Sequence, residues 1–254
     1  MSNITKLKKI ISKIQKLKSF KPSERVNGIF TDLVNLALVA NHQLKVGAKD
    51  YELLQKSASS AEYELEKHWS SKIIKNGYEL KNFPYYNNYL ELTKVEWNSL
   101  LSCKTHHNHN VLFIGSGPLP LTAIILARDY NCDITIIDIS SKAIDLSRKL
   151  IKKIGLNDKI TAINADALSF QLYKNFDVIY LAALAGIDRG VKRKILKKIR
   201  LDSIKGVHLI ARSSFGNREM LYKPLSNNDI EGFKLDLEVR PYNGIVNSFL
   251  ILRK

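Results

Sequence analysis

The run Asn110-Val-Leu-Phe-Ile114 passes without a break into Gly115-Ser-Gly117, and this junction constrains the chain more than any other segment. A short apolar run bounded by turn residues reads as a strand buried on both faces. The glycines allow a tight turn, and the stretch that follows reads as helix as far as Asp129. Ile134-Thr-Ile-Ile-Asp138 is the next strand, with a helix over about Ser141–Ile154. Lys159–Ile163, Asp177–Leu181 and Gly206–Ala211 read as further strands, with a helix over about Gly190–Arg200 before the last. Such alternation predicts an α/β fold with a mainly parallel sheet and helices on both faces. The tail departs from it: Phe233–Val239 and Ile245–Leu252 flank Tyr242-Asn243-Gly244, the pattern of a C-terminal antiparallel hairpin.

The first hundred residues keep a helical period instead. Ile4, Leu7, Ile10, Ile11, Ile14 and Leu17 form one apolar stripe. A second helix starts near Pro22-Ser23-Glu24, with Ser23 as N-cap, and runs through Leu33, Leu36 and Val39. A third covers about Tyr51–Ile74 and stops at Asn76-Gly77, and a fourth follows Pro84 to near Leu101. The expected organisation is an N-terminal all-α domain over residues 1–105 and an α/β domain over 106–254.

Charge sets the rival reading. The 40 Lys and Arg against 24 Asp and Glu leave a net charge of +16, which invites nucleic acid as partner. Yet the lysines of Lys6–Lys21, Lys142–Lys153 and Lys192–Arg200 interleave with Ile and Leu at helical spacing, the pattern of solvated faces. An RNA-binding protein or RNA methyltransferase is therefore the weaker alternative. The apolar run of roughly eighteen residues that a membrane span requires is missing. The N-terminus lacks the continuous apolar core of a secretory signal, and two cysteines are too few for a disulfide scaffold. The cytoplasm is the expected location. Cys103, His106, His107 and His109 have ligand chemistry but no closed spacing, so no metal site is assigned.

Gly115-Ser116-Gly117 lies where a strand turns into a helix, a place where backbone N–H groups meet ligands. Pro118-Leu-Pro120 replaces the third glycine of the dinucleotide fingerprint. Asp138, at the end of the second strand, is placed for ribose hydroxyls, and Asp166 in Asn164-Ala-Asp-Ala167 for an adenine edge. This arrangement resembles the class I S-adenosylmethionine (SAM) enzymes, whose Rossmann-like sheet also ends in an antiparallel strand. The fourth strand ends Tyr180-Leu-Ala-Ala-Leu184, without the Asn/Asp-Pro-Pro-aromatic signature of base and glutamine methylases.

Three segments go further: Phe83-Pro-Tyr-Tyr-Asn-Asn-Tyr89, Gly115-Ser-Gly-Pro-Leu-Pro-Leu-Thr122 and Leu181-Ala-Ala-Leu-Ala-Gly186. With Ala61-Glu62, Leu65-Glu-Lys-His68, Arg212-Ser213, Gly216 and Val246-Asn-Ser248, they resemble the nicotianamine synthases, in the family's order, from about residue 55 onward. The resemblance implies SAM as co-substrate and no metal in catalysis. It implies transfer of the 3-amino-3-carboxypropyl arm to an amine, with methylthioadenosine leaving. Repeated transfer builds nicotianamine, or an analogue started on glutamate, as a metal chelator. A single transfer to an amino acid is the nearest alternative. Expected partners are small molecules, SAM and glutamate, with monomer and homodimer both open.

The same resemblance directs the choice of site residues. The attacking amine needs a carboxylate to take its proton. Glu62 is that candidate, with Glu66 one turn later as the fallback. Tyr86 is assigned the hydroxyl that orients the amine, with Tyr85 as alternative. Tyr85, Tyr89 and Asn88 are expected to wall and hold the substrate, and Arg212, at the end of the fifth strand, to hold a carboxylate. Arg218 and Tyr222 follow in the same loop. Asn247, read as mid-strand in the hairpin, is given a polar pocket role. Gly115, Ser116, Gly117, Pro118, Thr122, Asp138, Asp166, Ala167, Leu181 and Ala182 are assigned to SAM.

Overall fold

Asn110–Ile114 forms β1 at the centre of a seven-stranded sheet in this computed structural model, which describes residues 2–39, 42–103, 110–242 and 244–254. The strand order is β3 (Ile160–Asn164), β2 (Asp133–Asp138), β1, β4 (Val178–Leu181), β5 (His208–Ser213), β7 (Ser248–Arg253) and β6 (Lys234–Val239). β1 to β5 pair in parallel, and β7 runs antiparallel to both its neighbours. The chain winds outward from β1 to β3, then crosses back to β4 on the other side of β1. That reversal opens a crevice at the carboxyl ends of β1 and β4. β4 and β5 are buried along their whole length, as two-sided cover requires.

Helices α5 (Leu121–Asp129), α6 (Ser141–Lys153) and α7 (Arg189–Asp202) flank the sheet. α6 buries Ala143, Ile144, Leu150 and Ile151, and most of its lysines face water. The lysine runs are solvated faces, as their spacing implied, except at Lys192, which is buried.

The remaining helices are α1 (Asn3–Gln15), α2 (Glu24–Val39), α3 (Ala48–Asn76) and α4 (Tyr86–Cys103). Leu7, Ile10, Ile11 and Ile14 are the buried stripe of α1, and Ser23 Oγ accepts from the Val26 N–H as expected of a cap. Val39 departs from its stripe and is 67% exposed, because α2 ends there. α3 begins three residues before the expected Tyr51, since a first turn of Ala48, Lys49 and Asp50 carries no apolar period. α1, α2 and the first half of α3 share a core with Met220, Leu221 and Val246. Ile73 of α3 and Leu92, Trp97 and Leu100 of α4 pack instead with Phe113, Tyr180 and Phe249 of the sheet. The expected domain boundary and His106, His107 and His109 lie outside the described residues.

The hairpin is real but its connection is long. β6 and β7 pair from Lys234↔Arg253 to Val239↔Phe249, and Asn243 of the expected turn lies outside the described residues. β7 starts at Ser248 rather than Ile245, because Ile245 and Val246 leave the sheet to join buried apolar clusters. Asn247 therefore precedes the strand, correcting its mid-strand reading.

Candidate active site

α3 runs over the β1–α5 turn and is tied to it from both ends. Tyr63 OH lies 3.3 Å from Ser140 Oγ, and Ser70 OH donates to the Pro118 carbonyl at 2.5 Å. Between these ties Glu62 and Glu66, one helical turn apart, point to the same side. Tyr89 of α4 stands between them, its hydroxyl 3.2 Å from Glu62 Oε1 and 3.0 Å from Glu66 Oε1. Tyr222, in the loop after β5, donates to Glu62 Oε2 at 2.8 Å.

One phenol carries one proton, yet Tyr89 touches two carboxyl groups. The arrangement is satisfied if Glu66 is protonated and donates to Tyr89, which donates to Glu62. The electrostatics favour that assignment. Burial raises the pKa of Glu62, opposed by the hydrogen bonds from Tyr222 and Tyr89 and by the Arg212 charge. Burial pushes Glu66 well above the ordinary range, and the charges of Glu62 and Asp138 push it further. Burial and the two carboxylates likewise raise Tyr89 and Tyr222 well above 10, which keeps both phenols as donors. Glu62 is the member that ionises first.

Two cavities meet at this group. The first, about 370 Å³, lies at the crevice between β1 and β4. Gly115, Ser116, Gly117, Thr122, Asp138, Asp166, Ala167 and Ala182 line it as expected. Asp138 accepts from the Gly117 and Ser140 N–H groups, both at 2.9 Å, which orients its carboxylate. Asp166 accepts from the Leu168 N–H at 2.9 Å. Pro118 and Leu181 are not among the lining residues: Pro118 contributes its carbonyl to Ser70, and Leu181 packs inside the sheet core.

The second cavity, about 200 Å³, lies between α2, α3 and the start of α4, with Tyr85, Asn88 and Asn247 in its walls. Glu62, Tyr89, Tyr222 and Asn247 line both cavities. Asn88 Nδ2 donates to the Gly244 carbonyl at 2.6 Å, so its amide oxygen is the atom left for a ligand. Asn247 Nδ2 and Ser116 Oγ are buried with no hydrogen-bond partner among the described residues. Tyr86 lies elsewhere, in a separate groove with Gly77, Tyr78 and Arg128. The helical period explains the difference: Tyr85 and Tyr89 are four residues apart and share a face, and Tyr86 is rotated about 100° from Tyr85. Tyr89 occupies the place expected of Tyr86.

Arg212 is buried behind Tyr89. Its Nε and Nη2 bind Glu96 Oε1 and Oε2 at 2.7 and 2.9 Å, and Nη2 also donates to Thr122 Oγ1 at 2.7 Å. Only Nη1 is without a protein partner among the described residues. The guanidinium lies 5.5 Å from the Phe113 ring and 6.0 Å from that of Tyr89. Glu96 went unread in the sequence, although an acid four residues after buried Leu92 stands on the apolar face of α4.

Gly117 allows the two halves of the site to touch. Its φ is +64°, and a Cβ there would fall 2.5 Å from Glu66 Oε2. Gly117→Ala is expected to weaken nucleotide binding by an order of magnitude or more, since it strains the turn and displaces a buried carboxyl group. Titration with methylthioadenosine measures it, and unchanged affinity would show that the turn yields at no cost. Among the described residues no three His, Cys, Asp or Glu side chains converge as a metal centre would need.

The family model described as "Nicotianamine synthase protein" matches residues 2–254. Nicotianamine synthase 1 of Arabidopsis thaliana is 34% identical over 262 residues, covering 96% of this chain and 82% of that protein. Among solved structures, MtNAS in complex with MTA and tNA superposes with a TM-score of 0.85 at 25% identity, covering 98% of this chain and 97% of the other. A glutamate-to-glutamine mutant of MtNAS, in complex with S-adenosylmethionine, superposes at 0.84 with the same identity, covering 99% and 97%.

Proposed function

The chain belongs to the nicotianamine synthase family, and from that premise we propose how its site performs the reaction. The enzyme transfers 3-amino-3-carboxypropyl groups from SAM to an amine and builds nicotianamine. The first cavity takes SAM: its Asp138, Asp166 and β1–α5 turn suit an adenosyl group, and the matching structures hold SAM and MTA. The second cavity takes the acceptor amine, and the two reactants meet beside Glu62.

The acceptor nitrogen attacks the γ-carbon of the methionine moiety. The carbon–sulfur bond breaks with its electron pair going to sulfur, and neutral methylthioadenosine leaves. The nitrogen's surplus proton passes to Glu62. Sulfonium is already a good leaving group, so no metal is called for. Protonated Glu66 and Tyr89 hold the pair in one geometry. Asn247 Nδ2 and Arg212 Nη1 are the donors open to substrate carboxylates. The observation that carries this reading is the tyrosine-bridged carboxyl pair, whose Glu62 and Tyr89 stand in the wall common to both cavities.

The second cavity has no Lys or Arg among its described lining residues. Cys103 and Cys132, neither of them in a disulfide, support a reducing cytoplasm.

Mass spectrometry of the protein incubated with SAM, with and without isotope-labelled glutamate, tests the proposal. Methylthioadenosine and a product grown by whole aminocarboxypropyl units are expected, and label in the product identifies glutamate as the starting amine. S-adenosylhomocysteine would mean methyl transfer and overturn the proposal.

Tyr222 supplies a further check. Tyr222→Phe removes a donor from ionised Glu62, so the Glu62 pKa rises further and the acid limb of the pH–rate profile moves to higher pH. Activity at neutral pH is expected to fall about tenfold. An unmoved acid limb would show that the charge on Glu62 does not set the rate.

A further inference from the structure

Lys192 is a buried charge that the reaction above leaves unused. It stands in the first turn of α7 and is 5% exposed, whereas Lys194 and Lys197 of the same helix face water. Burying an ammonium costs hydration and rotamer freedom that an apolar side chain would not. Its Nζ donates to the carbonyl of Ala183. Residues 183–187 wall the first cavity. The same segment also meets α7 through backbone: a Cβ on Gly186 would lie 2.9 Å from both N and Cα of Lys192. One charge-assisted hydrogen bond and one close backbone approach thus brace this wall on a single residue.

We infer that Lys192 is a positioning residue that holds the 183–187 wall in place and thereby sets the affinity of the cavity for the nucleoside. It acts through Ala183 without lining the cavity itself. The inference rests on the reading that this cavity takes the adenosyl donor.

Two charged neighbours bear on the ammonium: Asp229, itself bound by Arg189 and Arg193, attracts it, and Lys223 repels it. Asp188, at the start of the same helix, spends Oδ1 on the Gly190 and Val191 N–H groups. Burial is the largest influence and brings the lysine down to about 8, with Asp229 opposing and Lys223 adding. Below that pH the charged group grips the carbonyl. Above it the neutral amine donates a weaker bond, so nucleoside affinity falls as pH rises. Folding stability moves the other way. An unfolded lysine keeps its proton to about 10.4, so the burial cost of this group fades between the two values.

Calorimetric titration of the full chain with methylthioadenosine tests the inference. This ligand is neutral and lacks the α-amine of SAM, which titrates near 8 itself. Binding by the wild type is expected to weaken about fivefold between about pH 7 and about pH 9.5. Lys192→Met keeps the length and removes the charge. It should bind about tenfold more weakly than wild type at about pH 7, with no dependence on pH. Affinity within about twofold of wild type, or the same pH slope in K192M, would overturn the inference. If K192M does not fold, the wild-type slope decides, and a flat profile overturns it. Absence of any methylthioadenosine binding by the wild type would bring down the donor-cavity reading and this inference with it.

Discussion

Glu62→Gln retains SAM binding and lowers turnover by about 10²–10⁴-fold, the range that a positioned proton acceptor supplies. The substitution isolates one property. Glutamine fills the same space; its amide oxygen accepts from one of the two phenols that bind Glu62 and its NH2 donates to the hydroxyl oxygen of the other, so the wall between the cavities keeps its shape. An amide takes no proton at neutral pH, so the amine would have to shed its proton elsewhere. In the cavity proposed for SAM, the β1–α5 turn, Asp138 and Asp166 are held by hydrogen bonds that do not involve Glu62. Methylthioadenosine release at saturating SAM, beside the dissociation constant for SAM, separates the two effects. Glu66→Gln is the control, because glutamine resembles the protonated acid and should cost much less. A reversed order, with Glu66→Gln inactive and Glu62→Gln active, would exchange their roles. In the wild type, the raised pKa of Glu62 makes activity rise with pH as that carboxyl ionises.

Glu96→Leu is expected to destabilise the fold by about 3–5 kcal/mol, the cost of leaving a buried charge without its partner. Glu96 is 0% exposed and meets Arg212 through two parallel hydrogen bonds. Burial would lower the Arg212 pKa, but the Glu96 charge more than offsets it and the guanidinium stays charged. Arginine cannot escape by losing its proton. Removing both partners together, as Glu96→Leu with Arg212→Leu, should recover most of the loss, since two apolar side chains need no counter-charge. Urea unfolding of the single and double variants measures this. A single variant within about 1 kcal/mol of wild type would show that water reaches the guanidinium and that the pair is not sealed. The double variant also removes Arg212 from behind Tyr89, so its activity is expected to fall even where its stability returns.

The sheet was legible because strand and helix periods are local properties of the chain. β1, β2 and the α1 stripe follow from apolar spacing alone. The Gly115-Ser-Gly117 turn with Asp138 marked the wall of the first cavity for the same reason: each residue follows a strand whose end is readable. Family motifs pointed to Glu62, Tyr85, Tyr89 and Asn247, which line the second cavity, but did not choose among the tyrosines. That choice rests on where α4 begins. Starting at Tyr86, the helix turns Tyr89 toward the carboxyl pair and Tyr86 away from it.

Sequence by itself determined the order of helices and strands and the family. Only the tertiary structure decided which groups share protons and charge. Tyr222 meets Glu62 from 160 positions away, and Arg212 meets Glu96 from 116. Ser70 reaches Pro118, and Lys192 supports a wall that it does not line. Periodicity records which face of an element is apolar. Protonation depends on burial and on charges within a few ångströms, and those distances are set when separate elements pack together.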